Sequence, residues 1–140
     1  MDSKLEAELG DLLKEIQGKA NHKEMRKEMA DSEYGKMLIG AFNQPFTRPL
    51  IIDFIATTVA NDVRPGGENA EKVYEILNKF GEAGNGESLM HVMAAALLVV
   101  HCALTDMAEE NDLGKVLAHG GLRFALTSLK VTKSYLDGLG

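Results

Sequence analysis

Apolar positions recur at the helical interval along most of the chain. Leu5, Leu9, Leu12, Leu13 and Ile16 fall on one stripe, the i, i+3, i+4 signature of an amphipathic helix. Ser3 and Glu6 stand ahead of it as a capping box, and Gly18 ends it. Asn21 and Glu24 repeat the cap signature and open a second helical stretch, from about His22 to Phe42. Its early apolar residues, Met25 and Met29, are out of phase with Tyr34, Met37, Leu38, Ala41 and Phe42. Residues 22–42 are therefore either one kinked helix or two helices, with the break near Ala30–Ser32 and Asp31 as the second cap.

Asn43-Gln44-Pro45 interrupts the pattern, because a residue before proline avoids the helical region. Thr47 or Arg48 then caps a helix with Pro49 in its first turn, where a missing N–H costs nothing. Leu50, Ile51, Phe54, Ile55, Val59 and Val63 give that helix a wide apolar face up to the turn Arg64-Pro65-Gly66-Gly67. Ala70, Val73, Ile76, Leu77 and Phe80 predict a further helix ending at Gly81. Ser88 caps the next, about 89–110. Asp112 caps a short helix through Leu117, ended at Gly120-Gly121. A last helix, about Leu122 to Asp137, is expected to bury Leu122, Ala125, Leu126, Leu129 and Leu136.

The run from Leu89 to Leu104 is apolar on every side. Such a helix is surrounded by protein, which places it at the centre with the others around it. Its sixteen residues make about 24 Å of helix, short of the ~30 Å of a bilayer core. It contains His91 and His101 and has acidic flanks, so a buried core helix is preferred to a membrane span. No strand pattern appears. The expected fold is all-α: a single domain over 1–140, an irregular or orthogonal bundle of six or seven helices around the apolar helix at about 89–110. Residues 1–20 are a candidate peripheral helix that contacts a partner.

Composition supports this class. Apolar residues make up 45% of the 140 and charged residues 26%, near the globular average. The net charge of −6 argues against a chain whose main partner is a phosphate backbone. That charge is uneven: residues 1–48 carry −1, residues 49–112 carry −8 and residues 113–140 carry +3. The single Cys102 sits in the apolar run, as expected of a thiol in a reducing compartment. No secretory leader is read in the first residues, so a cytoplasmic location is expected, in a bacterial cell or in a host cell for a viral protein.

No Walker loop, H-E-x-x-H, paired CxxC or EF-hand spacing occurs, and no cofactor is implied. The glycine run in GEAGNGES precedes a helix but follows no strand, so a plain loop is preferred to an anion site. Asp106, Glu109, Glu110 and Asp112 gather where helix-end dipoles disfavour acids, a candidate cation site of oxygen ligands weighed against solvated carboxylates. His101, Asp106 and Glu109 define a candidate ligand or acid–base site, with no third orienting group to name. His91 and His101 are about 280° apart around the helix and cannot share an ion. Lys19, Lys23, Arg26 and Lys27 form a basic edge, the candidate for nucleic-acid contact, interrupted by Glu24 and Glu28.

The absence of catalytic signatures and the surplus of apolar stripes lead to one preferred reading. The chain is expected to be a non-enzymatic protein–protein interaction or self-assembly module of a viral or bacterial assembly or regulatory type. A protein partner, in the first place a second copy, is expected on Leu5, Leu9, Met25 and Met29. The alternatives are a nucleic-acid-associated accessory protein using the basic edge, and a small helical enzyme or ligand-binding protein around His101, Asp106 and Glu109.

Overall fold

The computed structural model describes Ala7, Leu9 and residues 23–140. Ala7 and Leu9 are helical. Ser3, Leu5, Glu6, Leu12, Leu13, Ile16, Gly18, Lys19 and Asn21, on which the first helix and its caps were read, lie outside the described residues. Among those described, six helices and no strand account for the architecture, with 83% of residues helical. They are α1 (Lys23–Asp31), α2 (Glu33–Phe42), α3 (Arg48–Val63), α4 (Ala70–Ala83), α5 (Leu89–Glu110) and α6 (Asp112–Gly138).

The phase break near Ala30–Ser32 is a true division into two helices, but Ser32 rather than Asp31 caps the second. The Ser32 hydroxyl accepts from the Gly35 N–H at 3.0 Å and donates to the Met29 carbonyl at 2.6 Å. One side chain thus satisfies an orphan donor of α2 and an orphan acceptor of α1. The corner between α5 and α6 is built the same way. Asn111, in extended conformation, accepts from the Gly114 N–H at 2.7 Å. At both corners the third residue of the new helix is a glycine, and a Cβ there would collide with the carbonyl of Met29 or of Met107.

The hub is α6, not α5. Both α3 and α5 pack most extensively on α6, and α1 and α2 also touch it. The expected break at Gly120-Gly121 does not occur; the helix runs through without interruption. These glycines serve close approach between helices. A Cβ on Gly120 would overlap Ile55 of α3, and one on Gly121 would come within 3.0 Å of Leu104 of α5. The first half of α6 is buried through Leu113, Val116 and Ala118. Phe42 and Ile55 complete this centre, with Ile39, Ile51 and Leu117 packed at its edge. The Phe42 ring is covered on one side by the Arg48 guanidinium, 4.5 Å from its centroid, and stacks obliquely with His119 at 5.0 Å. Arg48 also donates to the Phe42 carbonyl at 2.7 Å.

Three further expectations are corrected. α4 continues past Gly81 to Ala83 and ends at Gly84, because a glycine with open space beside it does not by itself stop a helix. Leu122, Leu126, Leu129 and Leu136 are exposed and Ala125 is half-buried, since they lie about 120–180° around α6 from Gly120, the position that meets α3. Most importantly, α5 is not enclosed. Ala95 is buried at 3% exposure, yet Ala94 is exposed, Ala96 half-buried, and Leu89, Met90, Met93, Leu97, Leu98 and Val100 are open. Among the described residues α5 meets its own chain through Ala95 and Val99 against Leu9, Phe80 and Ala83, and through Leu104 beside Gly121 of α6.

Candidate functional site

An apolar groove of about 400 Å³ opens where the α1–α2 corner meets α3 and the start of α6. Met29, Tyr34, Leu38, Phe54, Val59 and Leu117 line it. The division at Ser32 creates this groove by turning α2 away from α1, so that Met29 faces the same hollow as Tyr34. Its two aliphatic hydroxyls are engaged: Ser32 with Met29 and Gly35, and Thr58 with the Phe54 carbonyl at 2.8 Å. Apart from the Tyr34 phenol, the groove offers apolar contact area. Tyr34 and Phe54, read from the sequence as core, are half-exposed walls of it.

The residues assigned to partner contact divide into two sets. Leu9 is buried against Ala83 and Ala95 and is part of the chain's own packing. Met25 and Met29 are both 53% exposed. Of the basic edge, Lys23 opens α1 and Lys27 is exposed. Arg26 is turned to the far end of α5, where its Nε stands 2.9 and 2.8 Å from the two carboxylate oxygens of Glu110. This ion pair, separated by 84 positions in sequence, ties α1 to the α5–α6 corner. No sequence pattern announces it, because the two groups share no helix.

The acidic group is likewise dispersed. Glu110 belongs to Arg26; Asp112 occupies the first turn of α6, where a carboxylate complements the helix dipole. Asp106 and Glu109 are exposed on α5. Among the described residues no group of three or more His, Cys, Asp or Glu is placed to hold a metal ion. His101 is exposed, and along one helix it lies about 140° from Asp106, so their side chains diverge. Thr105 takes up the His101 carbonyl at 2.9 Å. Cys102 is a half-buried free thiol.

A second cleft, about 460 Å³, separates α3 from the outer half of α6. Asp53 and Arg123 bridge it at 3.2 Å, both half-exposed, over a floor of Ala56, Phe124 and Val131. Exposed apolar side chains are most numerous on α5 and α6. Among the described residues, thirteen of the twenty-four large exposed apolar side chains lie on these two helices or cap them. α5 is, by length and composition, the one described helix able to cross a membrane. No protein-family model matches the chain, and neither a curated protein nor a solved structure is similar to it.

Proposed function

We propose that this chain is a non-enzymatic protein–protein interaction module that works by self-assembly in the cytoplasm. The observation that supports it most is the exposure of Leu89, Met90, Leu97 and Leu98 on α5. A helix this apolar is stable in water only when covered, and its own chain leaves these four residues 50% to 84% exposed. Protein is favoured over lipid as the cover. The apolar part of α5 ends at Asp106, leaving seventeen residues before it, about 25 Å of helix against ~30 Å of hydrocarbon. Its flanks carry Glu82, Glu87, Asp106 and Glu109, with no Lys or Arg between Lys79 and Lys115, the reverse of what anchors a span.

The clefts support the non-enzymatic part of the reading. The apolar groove brings no titratable pair together, and His101, Asp106 and Glu109 do not converge. Pairing of Arg26 with Glu110 also withdraws a cation from the edge that a phosphate backbone would need. Sedimentation velocity from 1 to 200 µM tests the proposal. The expected result is a mass that rises with concentration to a defined oligomer. A strict monomer throughout, which also retains no protein partner after cross-linking, overturns it.

A further inference from the structure

Asn85-Gly86 is the one place in the chain where an asparagine precedes a glycine. The pair sits at the corner between α4 and α5, and both residues are exposed. The Glu87 N–H donates to the Gly84 carbonyl at 3.0 Å and closes a four-residue turn. Within it Gly86 has φ +85°, whereas no described residue other than glycine has a positive φ. A negative φ at Asn85 followed by a positive one at Gly86 is the sign pattern of a type II turn, which glycine adopts without steric cost. The Asn85 N–H is taken up by the Glu82 carbonyl at 3.2 Å, but among the described residues the Gly86 N–H meets no acceptor. The other described asparagines lack this combination. Asn61 and Asn78 lie inside α3 and α4, where the next N–H belongs to the helix ladder. After Asn43 and Asn69, the N–H groups of Gln44 and Ala70 donate to Ala41 and Gly67, each at 3.3 Å. The Asn111 side chain is held as the cap of α6.

We propose that Asn85-Gly86 is a modification site at which the chain deamidates itself. The Gly86 backbone nitrogen attacks Cγ of Asn85. The N–Cγ bond forms, the Cγ–Nδ2 bond breaks, and Nδ2 leaves as ammonia with the proton that Gly86 gives up. The product is a five-membered cyclic imide. Water then opens one of its two carbonyls. Opening at Cγ restores the backbone and leaves an aspartate. Opening at the main-chain carbonyl carbon routes the backbone through Cβ and leaves an isoaspartate. Water is consumed, ammonia is released, and nothing is oxidised or reduced. Three features of the turn serve the attack. The nitrogen carries no competing hydrogen bond, glycine presents no side chain to the approaching carbonyl, and exposure supplies the water.

Either product sets one further negative charge in a loop that already holds Glu82 and Glu87. The isoaspartate also adds a backbone atom to the turn. Gly84 lies so close to Val92 of α5 that a Cβ there would stand 2.9 Å from it. The corner has little room for the extra atom, so the seat of Ala83 beside Ala95 loosens.

Peptide mapping by mass spectrometry of the full chain, held at 37 °C in oxygen-18 water with circular dichroism as the folding control, tests the site. At pH 8 the expected result is progressive conversion of Asn85 to aspartate and isoaspartate, each with one solvent oxygen. Asn43, Asn61, Asn69, Asn78 and Asn111 convert at least 10-fold more slowly. Conversion at Asn85 falls at least 10-fold at pH 5, where the attacking nitrogen is less readily deprotonated. It falls as much in Gly86→Ala, whose methyl has open space in the fold but crowds the attack, and in Asn85→Gln, which needs a larger ring. The aged chain melts below Asn85→Asp, because it alone carries the lengthened backbone. An Asn85 that stays intact in the folded chain overturns the proposal, and so does an unchanged rate in Gly86→Ala. An aged chain that melts together with Asn85→Asp removes the loosened corner while the site stands.

Discussion

Arg26 presents its Nε to both carboxylate oxygens of Glu110, at 2.9 and 2.8 Å, and in doing so fastens the first described helix to the corner between the last two. The carboxylate is largely shielded, at 19% exposure, and the guanidinium less so, at 39%. A partly shielded pair of this kind, with hydrogen-bond geometry on both oxygens, is worth more than a free surface pair. Its sequence separation means that the gain comes from docking two helices rather than from either alone.

A double-mutant cycle of Arg26→Ala and Glu110→Ala, followed by urea denaturation, is expected to give a coupling of about 1 kcal/mol, falling as salt is raised. A coupling indistinguishable from zero would show that α1 docks by apolar contact alone.

Gly120 and Gly40 should respond to the same substitution with opposite signs. Alanine is the better helix former by about 1 kcal/mol, and a Cβ at Gly40 meets nothing within 4 Å. Gly40→Ala is expected to stabilise the fold by up to that amount. At Gly120 the new methyl overlaps Ile55, so Gly120→Ala is expected to cost about 1–3 kcal/mol. Adding Ile55→Ala should return part of the loss. Thermal melts of the three variants decide it, and equal shifts at the two glycines would refute the close-packing role.

The two glycine corners predict a matched pair of cap effects. Ser32→Ala and Asn111→Ala each leave the N–H of a glycine without its acceptor, and each is expected to cost about 1 kcal/mol. Asn111→Asp keeps the acceptor and should be nearly neutral. Equal losses from Asn111→Asp and Asn111→Ala in chemical denaturation would contradict the cap assignment.

Divalent cations are expected to leave the melting temperature unchanged. Glu110 is engaged by Arg26, Asp112 favours its own helix start, and His101 diverges from Asp106. A ligand raises stability only through a site that the folded state holds ready. An upward shift of several degrees in millimolar Mg²⁺, Mn²⁺ or Ca²⁺ would restore the cation site.

Much of the fold was legible along the chain because helix patterning is local. The all-α class, the bounds of α5, Pro49 in the first turn of α3 and the phase break before Tyr34 each follow from residues within one or two turns of one another. What failed was knowledge of partners. Gly120-Gly121 reads as a stop unless Ile55 and Leu104 are known to lie alongside. Met25 and Met29 read as outward-facing from phase alone, and they are exposed. Leu9 carried the same expectation, but Ala83 and Ala95 come round to cover it. The enclosure of α5 was inferred from its apolarity, and that rule states only that a cover exists, not that the same polypeptide supplies it. The acidic residues looked like a cluster because they are close in sequence, whereas the helix start at Asp112 and the reach of Arg26 separate their tasks.

The unbroken course of α6 has a mechanical consequence. Twenty-seven residues of continuous helix make a rod of about 40 Å, longer than the ~30 Å width of a small domain, and its base is gripped by Phe42, Ile55 and Val116. A stiff rod clamped at one end passes a load on its free end to the clamp. Force applied to the tip near Tyr135 is carried to the base as leverage on the clamp, and reorienting the tip means levering apart the contacts between Gly120 and Ile55.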